Sequence, residues 1–149
     1  MILRTQKDAA ALAVEMEKRA IRIYERALLL PLDASARKAI LEILAQEKHH
    51  LERFSGLYDF FSCQPGRDRM LVQSAAAEVL FPGGVMEMQR AEALTDCASV
   101  YTFAADSERE AVARYTTLAD RCPDPDTAAV FRQIANEEGA HLCQLEEKR

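Results

Sequence analysis

The residues of this chain that could do chemistry are glutamates and histidines, and they recur at one fixed spacing. Glu17 is followed seven residues later by Tyr24 and thirty residues later by Glu47, which opens a Glu-x-x-His sequence ending at His50. The same set returns 91 residues further along, at Glu108, Tyr115, Glu138 and His141. A carboxylate on one helix followed by a Glu-x-x-His on the next, present twice, is the ligand set of a dinuclear metal site in a four-helix bundle.

Helix geometry places each set on one face. Residues three apart are neighbours on a helix surface, so the glutamate and the histidine of each Glu-x-x-His can reach the same ion. The neighbours of Glu17 and Glu108 on their own stripes are small or apolar. They are Ala13, Ala20, Ile21 and Leu28 around the first, and Ala104, Ala105, Ala111 and Val112 around the second. Both carboxylates are therefore predicted to lie on the core side of their helices.

Four buried carboxylates need compensation, because an isolated buried charge either takes up a proton or binds a cation. Two divalent ions would bring four positive charges against the four glutamates. The mixture of carboxylate and imidazole ligands favours two iron ions, with manganese or zinc as alternatives. The structural alternative is a surface Glu–His pair and a core tyrosine, and each residue taken alone favours it. The recurrence of the whole set favours the metal site.

The elements that must position these residues are long helices. Thr5, Asp33 and Asp124-Pro125-Asp126 are typical helix starts, and a further helix begins near Thr95-Asp96. The sequence predicts a single all-α domain over residues 1–149. Its long helices are predicted at about 6–30, 34–62, 95–121 and 125–147. Tight connections make the first two and the last two antiparallel hairpins.

A crossover is predicted between the hairpins, over residues 63–94. This segment contains Pro65-Gly66 and Pro82-Gly83-Gly84, with a helical piece expected from Asp68 to Leu80. Val85–Ala93 fits either a short helix or a lead-in to the next long helix. A crossover of this length runs the length of a bundle, as in ferritin-like folds.

Composition excludes several classes of function. The net charge of −5 comes with no basic stripe, which argues against nucleic-acid binding. No run of about 18 apolar residues is present, so no membrane span is predicted. The first eight residues lack a long apolar segment, and the default expectation is a cytoplasmic protein. The four cysteines form no metal-binding pair and are expected to be reduced and mostly buried.

The motifs resemble those of the ferritin-like di-iron superfamily, most closely the rubrerythrin group. Four segments carry the resemblance: Glu17-Lys-Arg-Ala-Ile-Arg-Ile-Tyr24, Glu47-Lys-His-His50, Glu108-Arg-Glu-Ala-Val-Ala-Arg-Tyr115 and Glu138-Gly-Ala-His141. It covers all four predicted long helices. It implies that Glu47 and Glu138 bridge two ions, that Glu17 and Glu108 are terminal ligands, and that His50 and His141 bind one ion each. It also implies that Tyr24 and Tyr115 orient the carboxylates.

Two departures from the rubrerythrin pattern limit what the resemblance implies. Rubrerythrins typically carry a rubredoxin-like module with paired Cys-x-x-Cys motifs, which this chain lacks. They also place a further glutamate where this chain has Ala111, and Glu110 is not on the same helical face. Any electron donor is therefore expected to be a separate protein.

Three functions remain open at this point. The first is a di-iron oxidoreductase that reacts with peroxide or O2. The second is a metal-binding or iron-handling protein without turnover, and the third is a structural bundle with a vestigial site. A homodimer is also expected, with Leu57, Phe60 and Phe61 as a candidate contact region.

Overall fold

The described part of the chain is entirely helical. The computed structural model describes residues 5–62 and 84–148, and within them no strand is present. The helices of this part are α1 (Gln6–Ala27), α2 (Ala34–Phe61), α3 (Gly84–Glu92), α4 (Cys97–Arg121) and α5 (Pro125–Glu147). The prediction of an all-α chain is confirmed for these residues.

Each long helix begins at a residue that satisfies its first free backbone amides. The Thr5 hydroxyl accepts a hydrogen bond from the Asp8 amide, and the Asp8 carboxylate accepts one from the Thr5 amide. Asp33, Asp96 and Asp124 cap α2, α4 and α5, and each carboxylate accepts a hydrogen bond from the amide three residues later. The predicted starts of α1, α2 and α5 agree with the structure, and α4 starts two residues later than expected.

The first helix is shorter than predicted. It ends at Ala27 rather than near residue 30, because Leu28–Leu30 form a turn whose amides donate to the carbonyls of Tyr24, Arg26 and Ala27. Pro31 follows, and a proline disfavours helical backbone at the residue before it. The chain therefore leaves the helix early and enters α2 through a short connection.

The predicted crossover lies mostly outside the described residues, and so does its expected helical piece from Asp68 to Leu80. Its last part is described. The segment around residues 85–93, for which helix and lead-in were both open, is helix α3, and it packs against α1. Ala91 and Leu94 are buried in the core.

Short connections pair α1 with α2 and α4 with α5, which makes each pair an antiparallel hairpin. The hairpins contact each other through α2 with α4 and through α1 with α5. Apolar side chains gather in two clusters, and each cluster draws on all four long helices. Tyr24 belongs to the first cluster, with Ile40 and Val100; Tyr115 belongs to the second, with Leu12 and Phe131.

The cysteines differ from expectation in their exposure. Cys97 and Cys122 are half-buried and Cys143 is exposed, so the prediction of mostly buried thiols is wrong for this part of the chain. All three are free, as expected, and Cys63 lies outside the described residues. Cys143 is exposed because it lies two residues after His141, on the other side of α5 from the core. None of the described helices combines the length and apolar character required to cross a bilayer.

Candidate metal centre

The six predicted ligands meet in one layer between the two apolar clusters. On each long helix the polar residue lies between members of the two clusters, as Glu17 does between Met16 and Ile21. All four glutamates and His141 are buried, and the His50 side chain is 12% exposed. The prediction that Glu17 and Glu108 face the core is confirmed.

His50 faces three carboxylates. Its Nδ1 lies 3.7 Å from Glu17 Oε1, 3.9 Å from Glu47 Oε2 and 3.8 Å from Glu138 Oε2. These distances are longer than a direct hydrogen bond. The Nδ1 atom is buried and has no hydrogen-bond partner among the described residues. The Nδ1 nitrogen of this imidazole therefore has no hydrogen-bond partner and faces three carboxylates, which come from three helices.

His141 faces the other half of the layer. Its Nδ1 lies 2.9 Å from Glu108 Oε1 and 3.4 Å from Glu47 Oε1. On the opposite edge of the ring, Nε2 contacts the side-chain oxygen of Gln46. An Nε2–H that donates to Gln46 leaves Nδ1 as the acceptor atom that faces the carboxylates. The rings of His141 and His50 lie edge to face, with centroids 4.9 Å apart.

Three overlapping groups of donor atoms are compact enough to hold a metal ion. They are Glu47 with His50 and His141, Glu17 with His50 and Glu138, and Glu108 with Glu138 and His141. Within each group the donor atoms lie within 4.8 Å of one another. The six residues in these groups are the six predicted from sequence. The arrangement can therefore hold a metal ion through carboxylate oxygens and imidazole nitrogens.

Burial and mutual repulsion shift the pKa values of the crowded carboxylates in the metal-free chain. Burial, together with the charges of Glu47 and Glu138, raises the pKa of Glu17 well above its usual value. Burial, together with contacts to the same two carboxylates, does the same for the pKa of Glu108. Burial also acts to raise the pKa of Glu47, but hydrogen bonds from Glu17 and Glu108 outweigh it and the pKa is lowered. Protonation of Glu17 and Glu108 is thus favoured over protonation of Glu47.

The donor chemistry fits a divalent metal ion. Glu108 Oε2, like His50 Nδ1, is a buried polar atom without a hydrogen-bond partner in the described part of the chain. Buried polar atoms are normally satisfied, and two unsatisfied atoms in one polar layer are explained by cations that would bind there. Burial lowers the pKa of His141, which keeps its imidazole neutral, as a metal ligand requires.

Tyr24 and Tyr115 lie on either side of the layer. Both are buried, and both line the same cavity as the four glutamates. Burial and nearby glutamate charges raise the pKa of each phenol well above its usual value, so both hydroxyls stay protonated. Their expected role in orienting the carboxylates stays a prediction.

Two openings lead to the layer. A cavity of about 90 Å³ lies on the side of α1 and α4, against the four glutamates and both tyrosines, and Arg19, Arg90 and Arg114 contribute to its lining. A wider recess of about 430 Å³ lies on the side of α2 and α5, and both His50 and His141 are among its lining residues. Carboxylates thus face the narrow opening and histidines face the wide one.

Residues of the wide recess were missed by the sequence reasoning. Gln46 contacts His141, and Arg53 pairs with Glu137 across the recess. The signal that could have found them is the 91-residue offset itself, because Gln46 and Glu137 stand at equivalent positions directly before the two Glu-x-x-His motifs.

Comparison of the chain with protein-family models, with curated proteins and with solved structures finds no match.

Proton release on metal binding follows from the raised pKa values of Glu17 and Glu108. The raised pKa of each carboxyl favours its protonated form in the metal-free chain, and a protonated carboxyl must lose its proton to bind a cation. We expect binding of two divalent ions to release about two protons per chain. Calorimetric titration in buffers of different ionisation enthalpy measures this number. Release of no protons would show that both groups are already ionised before metal arrives.

Proposed function

We propose that the chain is a ferritin-like four-helix bundle that holds a dinuclear iron site and acts as an oxidoreductase of the rubrerythrin type. The observation that carries the proposal is the convergence of six residues, predicted from spacing alone, into three overlapping donor groups. The pairing of the long helices and the apolar clusters on both sides of the layer support the bundle.

The grouping of donor atoms supports distinct ligand roles. Glu138 shares one group with each histidine, and Glu47 shares a group with both, which supports a bridging role for these two carboxylates. Glu17 is grouped with His50 but not with His141, and Glu108 is grouped with His141 but not with His50. These two carboxylates would each be a terminal ligand of one ion.

Bound iron would supply two electrons, one from each ion, to reduce hydrogen peroxide and two protons to two molecules of water. The chain's own residues set the conditions. The cavity of about 90 Å³ beside the carboxylates has room for a few water molecules or one small oxidant, and not for a large organic substrate. The chain has no rubredoxin-like cysteine pairs, so a separate electron-donor protein would return the electrons.

The proposal is tested in two steps. Anaerobic loading with ferrous iron should give close to two ions per chain by elemental analysis. Addition of hydrogen peroxide under anaerobic conditions should then oxidise two ferrous ions for each peroxide consumed, as followed by absorbance in a stopped-flow instrument. Two bound ions that peroxide does not oxidise would favour the iron-handling alternative. Fewer than one bound ion would favour a structural bundle.

A homodimer is expected from the end of α2. Phe60 is 77% exposed and packs edge to face on Phe61, with ring centroids 5.3 Å apart, whereas Leu57 and Phe61 pack partly against the core. We expect light scattering to give twice the chain mass and Phe60→Ser to shift it toward the monomer. Leu29→Ser, at an equally exposed leucine elsewhere on the surface, should leave the mass unchanged. A monomeric mass for the wild type would remove this prediction.

A further inference from the structure

The narrow cavity on the side of α1 and α4 has two unlike walls. No Cα atom of α1 lies within 8 Å of a Cα atom of α4, and the cavity occupies the gap between the two helices. Under the 91-residue offset, each helix contributes an equivalent stripe of three residues to the lining. The stripes are Met16, Ala20 and Ile23 on α1, and Ser107, Ala111 and Arg114 on α4. One wall is therefore apolar, and the other carries a hydroxyl and a guanidinium.

Small side chains keep the cavity open as far as the carboxylate layer. Alanine occupies the middle position of both stripes, at residues 20 and 111, which lie one helical turn after Glu17 and Glu108. The cavity has a volume of about 90 Å³, and its lining includes these two buried glutamates. A space of this size suits a few water molecules or one small ligand.

The outer part of the cavity carries positive charge. Arg19, Arg90 and Arg114 are half-buried in its lining, and Glu110 is an exposed acidic residue beside them. Arg19 and Arg90 also interact with other residues. The guanidinium of Arg114 acts on the Tyr115 phenol: burial raises the pKa of this phenol, and the charge of Arg114 opposes the rise. Arg114 is thus close to the inner part of the cavity.

We propose that this cavity binds a short aliphatic carboxylate such as acetate, with its carboxylate group on Arg114 and its carbon chain against Met16 and Ile23. The inference rests on the proposed metal centre, because two divalent cations would cancel the four glutamate charges that otherwise repel an anion. The remaining charge of the lining is then positive, since three arginines stand against Glu110.

The two walls explain why the ligand is an aliphatic carboxylate. The planar fork of a guanidinium matches a carboxylate, to which it donates two parallel hydrogen bonds. Contact of a methyl or ethyl group with the apolar wall removes that group from water, which favours an organic anion over an inorganic one. A bound carboxylate and a small oxidant occupy the same cavity, so each excludes the other.

Paramagnetic relaxation measures the binding of acetate in this cavity. Acetate is titrated into cobalt(II)-loaded protein at constant ionic strength, and NMR follows the relaxation of its methyl protons, with zinc-loaded protein as the diamagnetic reference. We expect a saturable enhancement for the wild type. Arg114→Gln should weaken acetate binding by about tenfold or more, because charge-assisted hydrogen bonds are lost. Arg109→Gln removes the same charge from an exposed position of the same helix and should change the affinity less than about twofold.

Three further measurements test the shape of the cavity. Ala111→Leu fills the space without a change in charge, and it should abolish the acetate response while the cobalt content stays the same. Formate lacks the methyl group and should bind about fourfold more weakly than acetate. Diphenylacetate carries the same charge but is too large for the cavity, and it should not displace acetate.

Each contrary result has a distinct meaning. Cobalt-loaded wild type without a saturable acetate response would overturn the inference and leave the metal centre intact. Equal losses in Arg114→Gln and Arg109→Gln, an unchanged response in Ala111→Leu, or displacement by diphenylacetate would place the anion on the surface and also overturn it. Formate that binds as tightly as acetate would overturn the assignment to an aliphatic ligand. Wild-type protein that binds no cobalt would instead overturn the proposed centre itself.

Discussion

Replacement of both Glu47 and Glu138 by alanine should abolish metal binding, reducing the metal content from two ions per chain to near zero. These two carboxylates are the ones grouped with both imidazoles, so their loss removes an oxygen donor from each of the three donor groups. Loss of a single outer partner of a ligand already costs about 10–100-fold in metal affinity, and loss of two shared ligands should cost more. Elemental analysis after anaerobic iron loading measures the effect.

The matched control is a variant with alanine at Glu52 and Glu147, which are exposed on the same two helices. It should keep two ions per chain and the same far-ultraviolet circular dichroism as the wild type. The Glu47→Ala, Glu138→Ala variant should also remain helical, because the apolar clusters on both sides of the polar layer are untouched. Retention of two ions in that variant would show that the bridging carboxylates have been assigned to the wrong residues.

Replacement of Glu17 and Glu108 by glutamine should stabilise the metal-free protein and weaken metal binding at the same time. Burial and neighbouring carboxylates raise the pKa of both groups above the value in an unfolded chain. Unfolding at neutral pH therefore releases protons, and this favours the unfolded state. Glutamine has a similar shape and does not ionise, so it removes this contribution. We expect a rise of a few degrees in the Tm of the metal-free protein, at about 2–4 °C for each kcal/mol.

The pH dependence of this difference gives a second measurement. A carboxyl with a raised folded-state pKa contributes stability that is complete below the unfolded value of about 4.3 and is lost as the pH rises through the folded-state value. The Tm advantage of the double glutamine variant should therefore be small near pH 4 and grow toward pH 8. Glutamine at the exposed Glu25 and Glu110 on the same helices should give no such trend. A double variant at Glu17 and Glu108 that melts below the wild type without metal would mean that the two carboxyls are not crowded.

The site residues were predictable from sequence because helix periodicity and a repeat gave independent indications of the same positions. A glutamate that lies on the small and apolar stripe of a helix must face the core together with that stripe. Glu17 and Glu108 are buried, as their stripes predict. The starts of the helices were predictable as well, since Thr5 and Asp33 supply the oxygen that the first turn requires. Helix periodicity and capping are local signals, and the repeat compares two local patterns, so all three can be read from the chain.

Contacts between helices were not predictable in the same way. Gln46 and His141 are 95 positions apart in the sequence and lie on different helices. The distance between them depends on how each helix is rotated about its own axis, and no periodicity encodes that rotation. The end of α1 depended on a turn that competes with the last helical turn before Pro31. The exposure of Cys143 follows from which face of α5 the core covers, and a thiol gives little indication of that face.

The apolar clusters on both sides of the polar layer also bear on the origin of the repeat. Each cluster takes side chains from both hairpins, so the two hairpins build the core together. Two copies of one hairpin about a two-fold axis would present the same ligand types from both sides, as the two halves of this chain do. Joining the copies in one chain frees each half to change separately. The differences between Gln46 and Glu137, and between Arg53 and Gln144, are ones that a symmetric pair of identical chains does not permit.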